Sequence, residues 1–453
     1  MLLVVNALLI HVSPAVEAVP DSWMLVGDDG TVTSTGTGTP PPTPGAELLD
    51  VGGAFVAPGF VSAHSHLFTS ATRGLGADQT LYGWCDSMLG FFRSVPPEVM
   101  YWCTLHGALD FLANGVTTAF DFCDPRLPWE PMVGGSRSGA GELRPLEYLT
   151  RQADAKADAG LRYVNAVGMD VTVGTDDEIF ERLGAAIAHD DAADQELRLR
   201  SAVFGAVQWS PRRDTAELEV EAMRRFGLIN EAHFLETREE VALQRAKFAW
   251  YDEAGALGPD LVFGHFIQTT PEIIDRTAQA GSGMSWQPAS NGRLASGIAD
   301  LPRMLERGMT VGVGLDDQAC TDIADPWGNM RIGIYQQRAQ TGDPRSMSPE
   351  TMLRLHTLGS AQVLGIVDRV GSLEPGKHAD FVVVDPRRPD IGPLWHPIAN
   401  YVLACGLRNL RSVYVGGRLV AEDGVSTNPL AAEAGAKLHE TLPRIAAENG
   451  WPR

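Results

Sequence analysis

Four short apolar stretches of this chain end in residues able to hold a cation, and that recurrence limits the fold more than any bulk property. Phe-Val-Ala-Pro-Gly-Phe-Val-Ser-Ala-His-Ser-His-Leu at 55–67 closes on His64 and His66. Glu-Ala-His-Phe-Leu-Glu-Thr carries His233 and Glu236, Val-Phe-Gly-His ends at His265, and Val-Gly-Val-Gly-Leu-Asp-Asp ends at Asp316 and Asp317. Side chains two apart on an extended segment project to the same side, so two imidazoles at a strand end can grip one ion. A single His-x-His among 11 histidines is weak evidence; its company at the other three strand ends is what gives it weight. A parallel barrel is the architecture that gathers successive strand ends at one mouth.

The segments between these stretches predict helices. Residues 145–159, 215–226, 238–249 and 271–280 place apolar side chains at helical spacing among good helix formers, and several open on Thr, Asp or Pro. Strand then helix, repeated, predicts an α/β barrel. The 453 residues exceed the roughly 250 of such a barrel, which leaves chain for a second, smaller domain. Both ends supply it. Residues 1–56 hold short apolar runs broken by turn signals and a Thr/Gly/Pro-rich stretch at 34–45 that reads as exposed turn or linker. The segment 370–425 reads as further strands, with a helical tail from about 430. The expected division is therefore 1–56 and 366–453 as the two parts of a β-rich domain, with 57–365 as the barrel.

Composition narrows the function. The chain is 44% hydrophobic and 21% charged, with no apolar run long enough to span a bilayer. The opening Met-Leu-Leu-Val-Val lacks a positively charged start and a small-residue cleavage site, and reads as a first β-strand rather than a leader. A net charge of −21 argues against nucleic acid or an anionic membrane as partner, since both need basic surface. Five scattered cysteines without a Cys-x-x-Cys favour reduced, buried thiols and a cytoplasmic setting. No glycine-rich phosphate loop opens a helix, so no nucleotide cofactor is indicated.

Pro-Gly-Phe-Val-Ser-Ala-His-Ser-His, then Arg73-Gly74 and Trp84, then Asn-Gly-Val-Thr-Thr at 114–118, resemble the first third of the amidohydrolase superfamily. The likeness continues through His233-Phe-Leu-Glu236-Thr, His265, Ser290-Asn291 with Leu294 and Gly297, and Asp316, and ends in Val-Gly-Ser-Leu-Glu-Pro-Gly-Lys-His-Ala-Asp-Phe at 370–381. Within the superfamily these motifs resemble the branch of cytosine and guanine deaminases and triazine hydrolases. The resemblance implies a distorted TIM barrel, a small β-sandwich built from both chain ends, and a mononuclear metal. It implies His64, His66, His233 and Asp316 as ligands, Glu236 as proton shuttle, and His265 as the histidine that orients or polarises the attacked group.

The chemistry of the residues agrees. Three imidazoles and a carboxylate suit Zn²⁺, with Fe²⁺ as the alternative, and an open position lets the metal lower the pKa of a water toward ~7. The expected reaction is hydrolytic deamination of an amino-substituted N-heteroaromatic ring. Water loses a proton to Asp316 or Glu236 and attacks the ring carbon, Glu236 protonates the ring nitrogen, and ammonia leaves. A dechlorinating, dealkylaminating or amide-cleaving hydrolase is the alternative on the same site. A noncatalytic metal-binding protein would be expected to have lost a ligand or the shuttle acid, and this chain keeps them all. Asp317 reads as a structural acid. The partner is then a small heteroaromatic molecule, and a homo-oligomer is compatible with this reading.

Departures from the family pattern bear on the pocket. Gln268 stands where close deaminase relatives tend to carry a second histidine, Leu315-Asp316-Asp317 replaces Thr-Asp-Gly, and Trp209-Ser210-Pro211 replaces a His-Ser/Ala-Pro segment. Together they argue against a purine nucleoside. Trp84 and Trp209, with Phe68 and Trp286, are candidates for an apolar wall against a planar ring, and Gln208 and Gln287 for pairing with its polar groups.

Overall fold

The computed structural model describes residues 1–137, 141–387 and 391–451. Eight parallel strands pair in chain order: β1 (Phe60–Ser62), β2 (Val116–Phe122), β3 (Arg162–Gly168), β4 (Arg198–Gly205), β5 (Ile229–Phe234), β6 (Leu261–His265), β7 (Gly283–Trp286) and β8 (Val311–Val313). Alternation along each strand separates two apolar layers. Val61, Phe120, Phe122, Val164, Ala166, Ala202, Ile229 and Val262 fill the inside, while Ala119, Ala232, Phe234, Phe263 and Met284 face the surrounding helices. The ring closes without a regular ladder between β8 and β1. Ala63 N–H donates to the Val313 carbonyl (3.0 Å), Leu315 N–H to Ser62 Oγ (3.0 Å), and Asp316–Asp317 pairs with Ser65–His66 as a two-residue parallel bridge. That irregular seam distorts the barrel, and it is what sets Asp316 beside the two histidines.

The helices fall where the periodicity places them. Thr215–Phe226 and Pro271–Ala280 match the expected bounds, and each stops at a left-handed glycine, Gly227 (φ 65°) and Gly281 (φ 84°). Glu147–Ala159 starts two residues late. The helix expected over 238–249 runs instead over Val241–Glu253, because Glu239 N–H bonds Thr237 Oγ1 (3.2 Å) and Glu240 turns through φ 52° before the first helical residue. Over the mouth of the barrel, Leu81–Met88 and the start of Pro97–Ala113 carry an aromatic-rich cluster that includes Phe68, Trp84, Phe91, Phe92, Trp129 and Tyr148.

Both chain ends build one nine-stranded sheet. Phe55–Pro58 pairs with Leu2–His11 on one side and Phe381–Val384 on the other, and the chain passes from this sheet to the barrel at Gly59. The sheet curls on itself: Val32 N–H bonds the Lys377 carbonyl, Ala379 N–H bonds that of Gly30, and Leu2, Val4, Met24, Val56, Phe381, Val383 and Tyr414 share a core. Phe381 stacks on Tyr414 at 4.4 Å, and burying such a side chain contributes about 1.5–3 kcal/mol. The stretch 34–45, expected as turn or linker, is strand as far as Thr37. Backbone pairing of Val32–Thr37 with the Ser22–Val26 segment holds it despite its weak β-formers. The tail is helical over Ala431–Glu448. All five cysteines are buried, and none of them forms a disulfide, and no described helix is long and apolar enough to cross a membrane.

Candidate metal centre and active site

At the carboxyl ends of β1, β5, β6 and the β8 seam, His64, His66, His233, His265, Glu236 and Asp316 converge, all buried. Their donor atoms fall into overlapping triads within 4.8 Å: His64, His66 and Asp316; His64, His233 and His265; Glu236, His265 and Asp316. His66 Nε2 lies 3.0 Å from His233 Nε2, and His64 Nε2 lies 3.5 Å from Asp316 Oδ1. Gly264 permits this crowding, since a Cβ there would sit 2.9 Å from His64 Cε1.

The backbone is bent to aim these groups. Leu235, His265, Phe266 and Asp316 all adopt positive φ, 51° to 66°, at the ends of β5, β6 and the β8 seam. Left-handed conformations of non-glycine residues cost on the order of 1–3 kcal/mol each and persist where surrounding structure enforces them. Here the enforcement is visible for His265. Its N–H donates to Gln287 Oε1 (2.9 Å), and its Nδ1 accepts from Asn291 Nδ2 (2.9 Å), which leaves the ring proton on Nε2. That nitrogen faces Glu236 Oε2 at 3.6 Å and Asp316 Oδ2 at 3.9 Å.

His64 is oriented by a residue the sequence reading passed over. Glu231 Oε1 lies 2.6 Å from His64 Nδ1, with both side chains sealed from solvent. The carboxylate accepts Nδ1–H and so turns the lone pair of Nε2 toward Asp316, the arrangement in which an outer carboxylate fixes a metal-binding imidazole. The signal was legible: Glu231 precedes His233 by two, so both point into the barrel.

Protonation follows from burial and from these pairings. Burial pulls His64 down, yet Glu231 and Asp316 outweigh it and hold the ring at about 9. Burial, together with the positive His64, drives His66 to about 3 and His233 well below its ordinary value. His265 sits at about 3 for the same first reason. Glu231 is pushed up to about 7 by burial against the opposing pull of His64. Burial and the neighbouring Asp316 raise Glu236 well above the carboxylate range, whereas for Asp316 the surrounding histidines overcome burial and hold it low.

A divalent cation fits this donor set. His64 Nε2 is buried without a hydrogen-bond partner, the Nε2 atoms of His66 and His233 face one another, and Asp316 stays ionised among them. Uncharged imidazoles and one carboxylate are what Zn²⁺ and related ions take, and His64, held protonated by Glu231 and Asp316, would give up its Nε2 proton to the incoming ion.

The cavity above has a polar floor of His66, His233, Glu236, His265, Asp316 and Asp317. Its walls are Phe68, Trp84, Trp129, Phe204 and Trp209, with the Trp209 ring 5.1 Å from that of His233. Three expectations change. Trp286 is fully buried beneath Gly333 in the helical layer and is no part of the wall. Gln287 also lies away from the cavity, its amide spent on His265 N–H and Ser285 Oγ (2.7 Å). Gln208 is buried and does not line the cavity, whereas its neighbour Trp209 does. Asp317, read as structural, borders the cavity, with Oδ2 3.9 Å from His66 Nε2. Gln268 turns its amide to the Ser296 carbonyl. Trp129 and Arg137 reach the cavity from the segment after β2, Arg137 on a short hairpin that no strand or helix periodicity announced.

Comparison with known proteins agrees with this fold. The model of the amidohydrolase family matches residues 55–420. The 5-methylthioadenosine/S-adenosylhomocysteine deaminase of Syntrophobacter fumaroxidans is 31% identical over 387 residues, 83% of this chain and 82% of that protein. The zinc-bound structure of an adenosine deaminase from Xanthomonas campestris superposes with a TM-score of 0.84 at 23% identity, covering 98% of each chain. The atrazine chlorohydrolase of Arthrobacter aurescens TC1, complexed with zinc, gives 0.83 at 20% identity over 98% of this chain and all of that one.

Proposed function

The chain belongs to the amidohydrolase family, and from that premise we propose that it is a cytoplasmic, zinc-dependent aminohydrolase that removes ammonia from an amino-substituted N-heteroaromatic ring. The observation that carries the reading is the placement of Glu236. Its carboxyl stands over the ligand cluster, 3.6 Å from His265 Nε2, in a cavity walled by Phe68, Trp84, Trp129 and Trp209. An acid held above its ordinary range and facing a flat apolar slot suits protonation of a ring nitrogen. The curated relative named above is itself called a deaminase, which supports loss of an amine over loss of halide.

His64, His66, His233 and Asp316 would hold one divalent ion, which supplies Lewis acidity and brings the pKa of water toward ~7. The chain's own groups do the rest. The aromatic walls stack the ring and exclude water, which strengthens every charge interaction on the floor. Asp316, ionised, takes the proton of the attacking water, and Glu236 delivers a proton to the ring nitrogen adjacent to the attacked carbon. His265, with its proton on Nε2 fixed by Asn291, donates to the oxygen on which charge grows. The proton taken up by Asp316 passes to the amine, the carbon–nitrogen bond breaks and ammonia leaves, and the remaining hydroxyl proton returns to Glu236 as the carbon–oxygen double bond forms. In this reading residues 57–365 carry the chemistry, and 1–56 with 366–453 form the accessory sheet.

The test is elemental analysis joined to a panel of aminopyrimidines, pterins, aminotriazines and guanine-like purines, read by ammonia release, with chloro-substituted triazines read by chloride. About one zinc per chain and ammonia from at least one ring are expected. Chloride release without ammonia release would overturn the assignment.

A further inference from the structure

The hairpin that follows β2 borders the cavity through Arg137. Its strands are Met132–Val133 and Ser136–Arg137, joined by Gly134 (φ 59°) and Gly135 (φ 74°), a turn that needs positive φ at both positions. The tip lies against Leu243 on the helix after β5, so closely that a Cβ on Gly135 would clash with that side chain. Arg137 N–H donates to the Trp209 carbonyl (2.8 Å), tying the hairpin to the loop after β4. Arg137 is thereby fixed over the site.

Among the described residues its side chain meets no acceptor. The guanidinium lies 5.6 Å from the centre of the Trp129 ring and makes no ion pair or side-chain hydrogen bond among the described residues. The nearby acids are engaged elsewhere: Asp124 accepts from Arg144 (2.9 Å) and from Tyr148 Oη (2.8 Å), and Asp170 from Leu127 N–H (3.1 Å). Trp84 and Trp209, which also line the cavity, hold buried indole N–H groups without partners. A cavity with acids and a metal-type donor set on its floor thus carries three donors on its wall, Arg137 and the indoles of Trp84 and Trp209, that have no acceptor among the described residues, while Trp129 Nε1 is spent on Asp86 (2.8 Å). A second hollow adjoins it, bounded by Arg137, Pro125, Phe204 and Trp209 in common with the first and by Thr172 and Asp170 beyond.

Buried donors such as the Trp84 and Trp209 indoles are costly unless an acceptor meets them, and the half-buried Arg137 offers a guanidinium fork that matches a carboxylate in two parallel hydrogen bonds. We propose that Arg137 anchors a carboxylate carried by the heteroaromatic substrate, whose ring lies on the Glu236 floor and whose substituent reaches toward the second hollow. This deepens the aminohydrolase reading and rests on the cavity being the substrate site. Arg137 is a specificity residue in this scheme, remote from the reacting carbon.

The experiment is isothermal titration of zinc-loaded protein with matched pairs, adenine-type and pterin-type rings each with and without a carboxylate substituent, alongside R137M and R137K. A charge-assisted pair predicts that the carboxylated ring of the preferred series binds about 10- to 100-fold tighter than its parent. R137M should lose that advantage while binding the parent as before, and R137K should keep part of it. No advantage in the wild type, or one that survives in R137M, overturns the proposal. Ammonia release from the same compounds separates the two claims. Turnover of parent rings without a carboxylate advantage retains the aminohydrolase and removes the Arg137 anchor. Arg137-dependent binding without ammonia from any ring does the reverse.

Discussion

Replacing Glu236 by glutamine isolates the proton shuttle, because the substitution keeps shape and removes only the transferable proton. The carboxyl is 2% exposed, Oε2 has no hydrogen-bond partner among the described residues, and His265 Nε2 stands 3.6 Å away. No bond in the resting protein is therefore lost, and stability should stay within about 1 kcal/mol of wild type. A helix-start role is excluded by position, since the next helix begins at Val241 and a Thr237–Glu239 turn intervenes. Turnover is another matter. General acid–base catalysis contributes about 10²–10⁴-fold, so kcat should fall by that factor, a barrier increase of about 2.7–5.4 kcal/mol at ~1.36 kcal/mol per decade. Zinc content, melting temperature and kcat on the best ring of the ammonia-release panel should be measured on one preparation. A variant that retains its zinc and comes within a few-fold of wild-type kcat would refute the argument and leave Asp316 as the sole proton carrier.

Three further outcomes are expected. Glu231→Val should weaken zinc binding by about 10- to 100-fold, measured by competition with a chelator, because His64 loses the carboxylate that orients it, while Glu231→Gln, which still offers an acceptor, should retain more; equal affinities in all three proteins would contradict this. Glu219 is buried on the helix after β4, accepts from Ala206 N–H and Asn230 Nδ2 (both 2.7 Å), and is pushed up to about 7 by burial. Its folded pKa exceeds the unfolded ~4.3, so the native state binds more protons between those values and stability falls as pH rises from about 4 to 7, by up to ~3 kcal/mol; urea midpoints of wild type and Glu219→Gln across that range should diverge, and parallel curves would exclude it. Thiol titration of denatured, unreduced protein should find five sulfhydryls, where one or three would reveal a disulfide.

What was legible in the sequence was whatever repeats with a short period. The strands follow alternation and end on their chemistry. Helices such as Thr215–Phe226 follow the 3.6 spacing with a glycine to stop them. The Met132–Arg137 hairpin has neither signal, since two residues per strand are too few for a period to show, and only Gly134-Gly135 marks it. Gln208 and Gln287 were misjudged for a related reason. Residue type suggests that a polar amide near a ligand strand serves the substrate, yet Gln287 serves the backbone of His265, a need created by the positive φ there and invisible without the fold.

The seam between β8 and β1 shows why that backbone cannot relax. A regular ladder would continue the strands past the mouth and carry alternate side chains to opposite faces, separating Asp316 from His64. Here Asp316 N–H bonds the His64 carbonyl (3.0 Å) while its own φ is 64°, and Ser62 Oγ, accepting from Leu315 N–H, donates in turn to the His64 carbonyl (2.9 Å). With the Ala63 N–H bond to the Val313 carbonyl, four hydrogen bonds and a left-handed residue replace the ladder, and the strained turn is stabilised by the same groups that set the donor atoms. Removing Ser62 Oγ should therefore disturb the site more than the barrel. Ser62→Ala is expected to cost about 1–3 kcal/mol of stability, since it leaves the buried Leu315 N–H unpaired, and to lower zinc affinity with it. Loss of stability with zinc affinity unchanged would show that the seam holds the fold without setting the ligands.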